Sequence, residues 1–220
     1  LARHAPEIPA VAEEACARAG APATGKRFFL VDPLDGTKEF LSRNGEFTVN
    51  IALIEHGVPI AGAVYAPALA MLWVGDSDGA WRAPVRHGHI CMPQPIHARI
   101  PSADGLDVLA SRSHINAETQ ALIARLKVRE MISAGSSLKF CRIAEGAADF
   151  YPRLGRTMEW DTAAGDAVLR AAGGHVATLD GRTLNYGKRK PAPEDFANPS
   201  FIACGSIDPQ ALIQGTPAAT

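Results

Sequence analysis

Short apolar, β-branched runs recur through the first half of the chain. The run Arg27–Val31 ("RFFLV") follows "VAEEACARAGAPATGK", which closes in a Gly/Pro/Ala loop. "FTVNIALIEHG" and "VPIAGAVYAP" are two further runs joined at His56-Gly57, and they predict a β-hairpin. "AMLWVGDSDGAWR" predicts a second hairpin, turning at Asp76–Gly79. This half reads as antiparallel. "HGHICMPQPIHARIPSADG" is irregular and proline-rich and marks a boundary. It divides an N-terminal α+β half over 1–100 from a C-terminal α/β half over 101–220.

Beyond that boundary, strand and helix patterns alternate. "DVLASRS" leads to a helix at "INAETQALIARL", "REMISAG" to a helix at "SSLKFCRIAEG", and "ADFYPR" to a helix at "TAAGDAVLRAAGG". "HVATLD" and "SFIACG" then close the chain as strands. Such alternation predicts a layered α/β arrangement. In the last helix Asp161 or Thr162 is suited to the N-cap, and Gly173-Gly174 to the stop.

Composition narrows the function more than the fold. The 220 residues suffice for one large domain or two modest ones with a proper core. A formal net charge of −1 gives no basic field for nucleic acid or an anionic membrane. Cys16, Cys91, Cys141 and Cys204 are far apart and form no CxxC pair, which predicts free thiols in a reducing cytoplasm. No apolar run approaches a membrane span. The opening "LARHAPEIPA" has no signal-peptide apolar region and begins with Leu1.

The chemistry concentrates in "VDPLDGTKEF", Val31 to Phe40, at the end of the first strong strand. Asp32 and Asp35 flank a turn that Pro33 stiffens and Gly36 permits, so both carboxylates can converge while the Leu34 carbonyl points into the same space. Hard oxygen ligands of this kind suit magnesium bridging to a substrate phosphate. The plain alternative is an Asx turn at a strand end. "AEEA" adds Glu13 and Glu14, and "EWDTAAGDA" adds Asp161; taken singly, these are a solvated helix face and an N-cap.

Together, "DPLDGTKEF" and "WDTAAGDAVLRAAGG" resemble the two signatures of the inositol monophosphatase-like superfamily of magnesium-dependent, lithium-sensitive phosphatases. "SRSH", "GSSLKFC" and "AEGAADFYPR" extend the resemblance over nearly the whole chain. Lys38-Glu39-Phe40 and Asn44-Gly45-Glu46-Phe47 favour its CysQ-type 3′(2′),5′-bisphosphate nucleotidase branch. The resemblance implies an α/β/α/β/α layered sandwich of the sugar-phosphatase type. It also implies two or three magnesium ions held by Glu13, Asp32, the Leu34 carbonyl, Asp35 and Asp161. Thr37 would hold the attacking water, Asp32 would bridge two ions, and Glu14 would support Glu13 from behind. Gly36, Thr37, His114, Ser136, Lys139, Arg153 and Asp161 match substrate-binding positions. The implied reaction is release of the 3′-phosphate from adenosine 3′,5′-bisphosphate, with an inositol monophosphate as the runner-up substrate. A non-enzymatic nucleotide-binding role is the alternative of another class. The expected partner is a small-molecule nucleotide in the cytoplasm, with no nucleic acid and no integral membrane segment. A homodimer and peripheral contact with the inner membrane are compatible with it.

The family pattern also places a helical segment with a Thr-Ala-Ala-Asp-like motif before the acidic pair. Only twelve residues precede Glu13 here, so the N-terminal α portion is expected to be partly absent. Other motifs fail on context. Gly20–Lys26 has P-loop spacing, but Arg27 stands where Ser or Thr should be, and a strand follows it. Ser136-x-x-Lys139 has serine-acylase spacing without the accompanying motifs. His87, His89 and Cys91 are too close for the usual zinc sites. "GKRK" at Gly187–Lys190 is a short basic turn.

Overall fold

The computed structural model describes residues 1–110, 116–191 and 194–215. Its first half runs β1 (Ala10–Ala12), α1 (Glu13–Ala19), β2 (Arg27–Asp35), α2 (Thr37–Leu41), β3 (Thr48–Glu55), β4 (Val58–Ala66), β5 (Met71–Asp76), β6 (Gly79–Arg86), β7 (His89–Ile90) and β8 (Gln94–Pro95). The second half runs β9 (Leu106–Ala110), α3 (Ala117–Ile123), β10 (Val128–Ser133), α4 (Leu138–Ala144), β11 (Phe150–Arg153), α5 (Glu159–Ala171), β12 (His175–Thr178), β13 (Phe201–Cys204) and α6 (Pro209–Gln214).

The first sheet has the order β1-β2-β3-β4-β5-β6-β7, with β8 also on β6. Both expected hairpins form there, as antiparallel ladders β3–β4 and β5–β6. Alternation fixes their faces: in β3, Thr48, Asn50, Ala52 and Ile54 are buried, while Val49, Ile51, Leu53 and Glu55 are half-buried. The second sheet, β10-β9-β11-β13-β12, is mixed. Its β9 is parallel to β10 and β11, and β13 returns antiparallel between β11 and β12.

Helices α4 and α5 lie between the sheets. One continuous apolar cluster joins Leu30, Ile54 and Val64 of the first sheet to Phe140 and Ile143 of α4, Ala164 and Val168 of α5, and Phe201 of the second sheet. A second cluster packs Leu122 of α3 and Leu212 of α6 on the far side of the second sheet, against Val108, Phe150 and Ile202. The molecule is thus a layered α/β sandwich with the order sheet, helices, sheet, helices. The fifth, outer α layer implied by the resemblance is not among the described residues. Val49, Ile51 and Leu53 stay half-buried on that side.

Helix α5 is buried along its length except at Asp161, Arg170 and Ala171. The small residues of "WDTAAGDA" explain how it fits. A Cβ on Gly62 of β4 would stand 2.5 Å from the Ala164 carbonyl oxygen, and one on Gly165 would stand 2.7 Å from Phe140 of α4. Helix and sheet backbones therefore touch, which needs Ala or Gly on both sides. The buried charge of Asp166 is met by Arg170 at 2.6 and 2.8 Å and by the Tyr186 hydroxyl at 2.8 Å.

Three local expectations need correction. The first strong strand runs on to Asp35 instead of stopping at Val31, because the ladder with β3 resumes after a bulge. Helix α5 starts at Glu159, with Met158 as its N-cap; Asp161 is its third residue and accepts from the Met158 N–H at 2.8 Å. The chain does not close on strand β13, since α6 follows it, capped by Asp208, whose side chain accepts from Gln210 N at 3.0 Å. An Asp-Pro pair before an apolar stretch was the available sign.

Candidate active site

The pairing of β2 with β3 slips between Asp32, opposite Asn50, and Asp35, opposite Thr48. One extra residue is thereby accommodated on β2, a bulge that re-aims side chains. Pro33 brings no N–H to the interrupted ladder, and the Asp32 carboxylate accepts from Leu34 N at 2.9 Å. Gly36 follows at φ 87°, a conformation that glycine adopts without strain, and α2 begins at Thr37. A Cβ on Gly36 would also lie 2.3 Å from Ser136 Oγ.

The bulge turns Asp32 and Asp35 toward the N-terminus of α5. One carboxylate oxygen each of Asp32, Asp35 and Asp161 lies within 4.8 Å of the others. Three carboxylates this close penalise one another's charge. Asp32, 1% exposed, is pushed up to about 9 by burial and then by the charges of Asp35 and Glu13. Asp161 is pushed up to about 7 by burial and by Asp35. Asp35 is raised by burial, but Lys139, the Ser137 N–H and Asn50 act against the rise. An all-oxygen cluster that resists ionisation until a cation arrives fits a hard divalent metal.

Glu13, first residue of α1, hydrogen-bonds the Asp32 side chain, and burial raises its own pKa. It stands at the edge of the triad, outside the three-carboxylate cluster. Glu14 is exposed and reaches the site only through its charge on Glu13. Leu34 lies half-buried on the bulge between the two aspartates.

A cavity of about 230 Å³ opens beside the triad. Asp35, Gly36, Thr37, Ser136, Lys139, Arg153 and Asp161 are among the residues that line it. Lys139 is buried, 6% exposed. Its Nζ donates to the carbonyls of Ser136 at 2.8 Å and Ala134 at 3.2 Å, and burial pulls its pKa down to about 8. Arg153 Nη2 donates to the Arg156 carbonyl at 3.2 Å, while its buried Nε has no partner among the described residues. Ser136 stands at φ 44° before α4, which starts at Leu138. Its Oγ lies 2.7 Å from the Glu46 carbonyl and 3.0 Å from that of Asp35, so the hydroxyl is directed at main chain. His114 lies outside the described residues.

Two residues at the site had drawn no attention in the sequence. Ser137 donates its N–H to Asp35 at 2.7 Å and its hydroxyl to the Asp161 carbonyl at 2.6 Å. Asn50 Nδ2 donates to Asp35 at 3.3 Å and to Ser137 Oγ at 3.0 Å. Asn50 had a legible sign: it is a polar residue at an inward position of an otherwise apolar strand. Ser137 had none. No metal-ligating group among the described residues includes His87, His89 or Cys91.

The model of the Inositol monophosphatase family matches residues 1–214. The chain is 47% identical over 197 residues to the 3′(2′),5′-bisphosphate nucleotidase CysQ of Shigella flexneri, covering 90% of this chain and 76% of that protein. The crystal structure of CysQ from Bacteroides thetaiotaomicron superposes with a TM-score of 0.75 at 38% identity, over 90% of this chain and 77% of the other. An inositol monophosphatase from Anabaena gives a TM-score of 0.75 at 26% identity, over 97% and 80%.

Proposed function

The chain belongs to the inositol monophosphatase family, and on that premise we propose that it is a 3′(2′),5′-bisphosphate nucleotidase. It removes the 3′-phosphate of adenosine 3′,5′-bisphosphate and leaves AMP and inorganic phosphate. The observation that carries the reading is a cavity whose lining combines carboxylates, Asp35 and Asp161, with two cations, Lys139 and Arg153. A substrate with two phosphates has a use for both.

Asp32, Asp35, Asp161 and the Leu34 carbonyl, with Glu13 at the edge, would hold magnesium. Bound there, the metal supplies charge neutralisation at the reacting phosphate and acidifies water. The chain's own groups do the positioning, which is most of what phosphoryl transfer requires. Thr37, at the cavity wall, holds the attacking water through its hydroxyl. Gly36, without a side chain, lets the phosphate approach the backbone. Glu14 acts at a distance, by strengthening the negative field at Glu13. In the same cavity lining, Arg153 Nε offers a buried N–H without an acceptor among the described residues, suited to an oxygen of the phosphate that is not cleaved. Lys139 has three donors and two are directed at carbonyls, so one remains for the same phosphate. Ser136 shapes the turn between these groups.

No described helix is long and apolar enough to cross a membrane. The four free cysteines support a reducing, cytoplasmic setting.

The deciding experiment compares kcat/KM for adenosine 3′,5′-bisphosphate with that for an inositol monophosphate, in magnesium. A preference for the bisphosphate on the order of 100-fold or more is expected, because the second phosphate satisfies buried donors that the monophosphate leaves unpaired. A preference for the inositol ester would overturn the nucleotidase reading. No turnover of either would favour a nucleotide-binding protein.

A further inference from the structure

Asp35 comes from a bulge in the first sheet, and Asp161 from the first turn of a helix between the sheets. They are far apart in sequence, and their charges repel. Yet one oxygen of each sits within 4.8 Å of the other and of Asp32. Something must hold β2 and α5 in this relation, and the hydrogen bonds identify it.

Ser137 stands between the two. Its N–H donates to Asp35 Oδ2 at 2.7 Å, and its hydroxyl donates to the main-chain carbonyl of Asp161 at 2.6 Å. Its Oγ in turn accepts from Asn50 Nδ2 at 3.0 Å. The other Nδ2 hydrogen of Asn50 reaches Asp35 Oδ2 at 3.3 Å. Both amide hydrogens are therefore directed into the same knot. Asn50 and Ser137 are each 1% exposed, so water does not compete for these bonds. Asn50 is the cross-strand partner of Asp32, which fixes it directly beside the bulge. The two residues together touch one triad member by its carboxylate and another by its backbone.

We propose that Asn50 and Ser137 are positioning residues that act as one unit, fixing Asp35 relative to Asp161 so that the carboxylates stand at metal-binding separation before a cation enters. The inference deepens the proposed function and rests on its metal reading. Neither residue is a ligand; each acts through the aspartates. Supporting hydrogen bonds of this kind change metal affinity by about 10- to 100-fold when removed.

The test uses the full chain and Mn²⁺ alone, a hard oxygen-seeking ion whose free form is counted by electron paramagnetic resonance. Ser137→Ala removes the tie to Asp161 but keeps the N–H on Asp35. Asn50→Leu removes the amide donors. Each is expected to weaken Mn²⁺ binding about 10-fold. The double variant should be little weaker than either single, because the bonds form one chain. Melting in EDTA, within a few degrees of wild type, checks folding; if one variant fails to fold, the other decides. With magnesium and substrate, the half-saturating magnesium concentration should rise while kcat at saturation changes less than about threefold. Folded variants that bind Mn²⁺ within twofold of wild type, or effects that simply add, would overturn the positioning role. Wild-type protein that binds no Mn²⁺ would overturn the metal reading itself, and this inference with it.

Discussion

Asp32→Asn should stabilise the metal-free protein while removing its activity, two effects of opposite sign from one atom's exchange. Asp32 is 1% exposed, and its carboxyl is pushed up from 3.8 to about 9. Between those values the folded state keeps a proton that the unfolded chain releases. Stability therefore falls as pH rises from about 4 to about 9, since the slope follows the difference in bound protons. At pH 7 the penalty is on the order of 2–4 kcal/mol, taking about 1.4 kcal/mol for each tenfold change in proton affinity and reducing the total because the neighbouring carboxylates share it. Asparagine is neutral and carries no such penalty. It can still accept from Leu34 N, as Asp32 does at 2.9 Å, and its amide can donate toward Glu13, which already hydrogen-bonds this side chain. In EDTA at pH 7 the variant should melt roughly 5–10 °C higher than wild type, given a few degrees per kcal/mol at this size. The gap should shrink at pH 5 and widen toward pH 9. With magnesium, wild type should gain stability and the variant little. Turnover should fall on the order of 10³-fold in kcat, because charge stabilisation acts mainly in the transition state. Melting curves over pH, with and without magnesium, make the assay. A variant that melts below wild type in EDTA at pH 8, or keeps the full magnesium-dependent rise, refutes the placement of Asp32 as a buried, shared ligand.

Magnesium affinity, measured by calorimetry, should rise about tenfold per pH unit between pH 7 and 9, because Asp32 must lose its proton to bind a cation; a flat profile would contradict the raised carboxyl. Lys139→Ala should raise KM for the bisphosphate about 10-fold and change kcat less, because a contact with the uncleaved phosphate persists from ground to transition state. Steady-state kinetics showing kcat reduced as far as in Asp32→Asn would instead mean that Lys139 acts through Asp35. Gly62→Ala should cost about 1–3 kcal/mol in denaturant titrations, since its Cβ would meet the Ala164 carbonyl oxygen at 2.5 Å; a neutral result would show that α5 yields where its packing is tightest.

Much of this protein was legible without coordinates because its signals are local. The apolar, β-branched runs "FTVNIALIEHG" and "VPIAGAVYAP" were enough to predict the hairpin, though not which face of β3 turns inward, and the strand–helix alternation after residue 105 predicted the layered second half. Asp32 and Asp35 stood out as two carboxylates flanking a Pro-Gly turn, whereas Asp161, by itself an ordinary N-cap candidate, joined them only through the family resemblance. What the sequence could not decide is how far the main chain bends and who answers a buried charge. The bulge that carries β2 on to Asp35, and the helix start at Glu159, arise from ladder register and from the Met158 N–H meeting the Asp161 carboxylate. Lys139 matches a substrate-binding position by resemblance, but nothing local in the sequence shows that folding buries it against two carbonyls. Ser137 is invisible in sequence, because its part exists only once β2, α4 and α5 have come together. Ion pairs and hydrogen bonds across elements depend on distances that no local pattern encodes, and tertiary packing alone sets the separation at which three aspartates become one site.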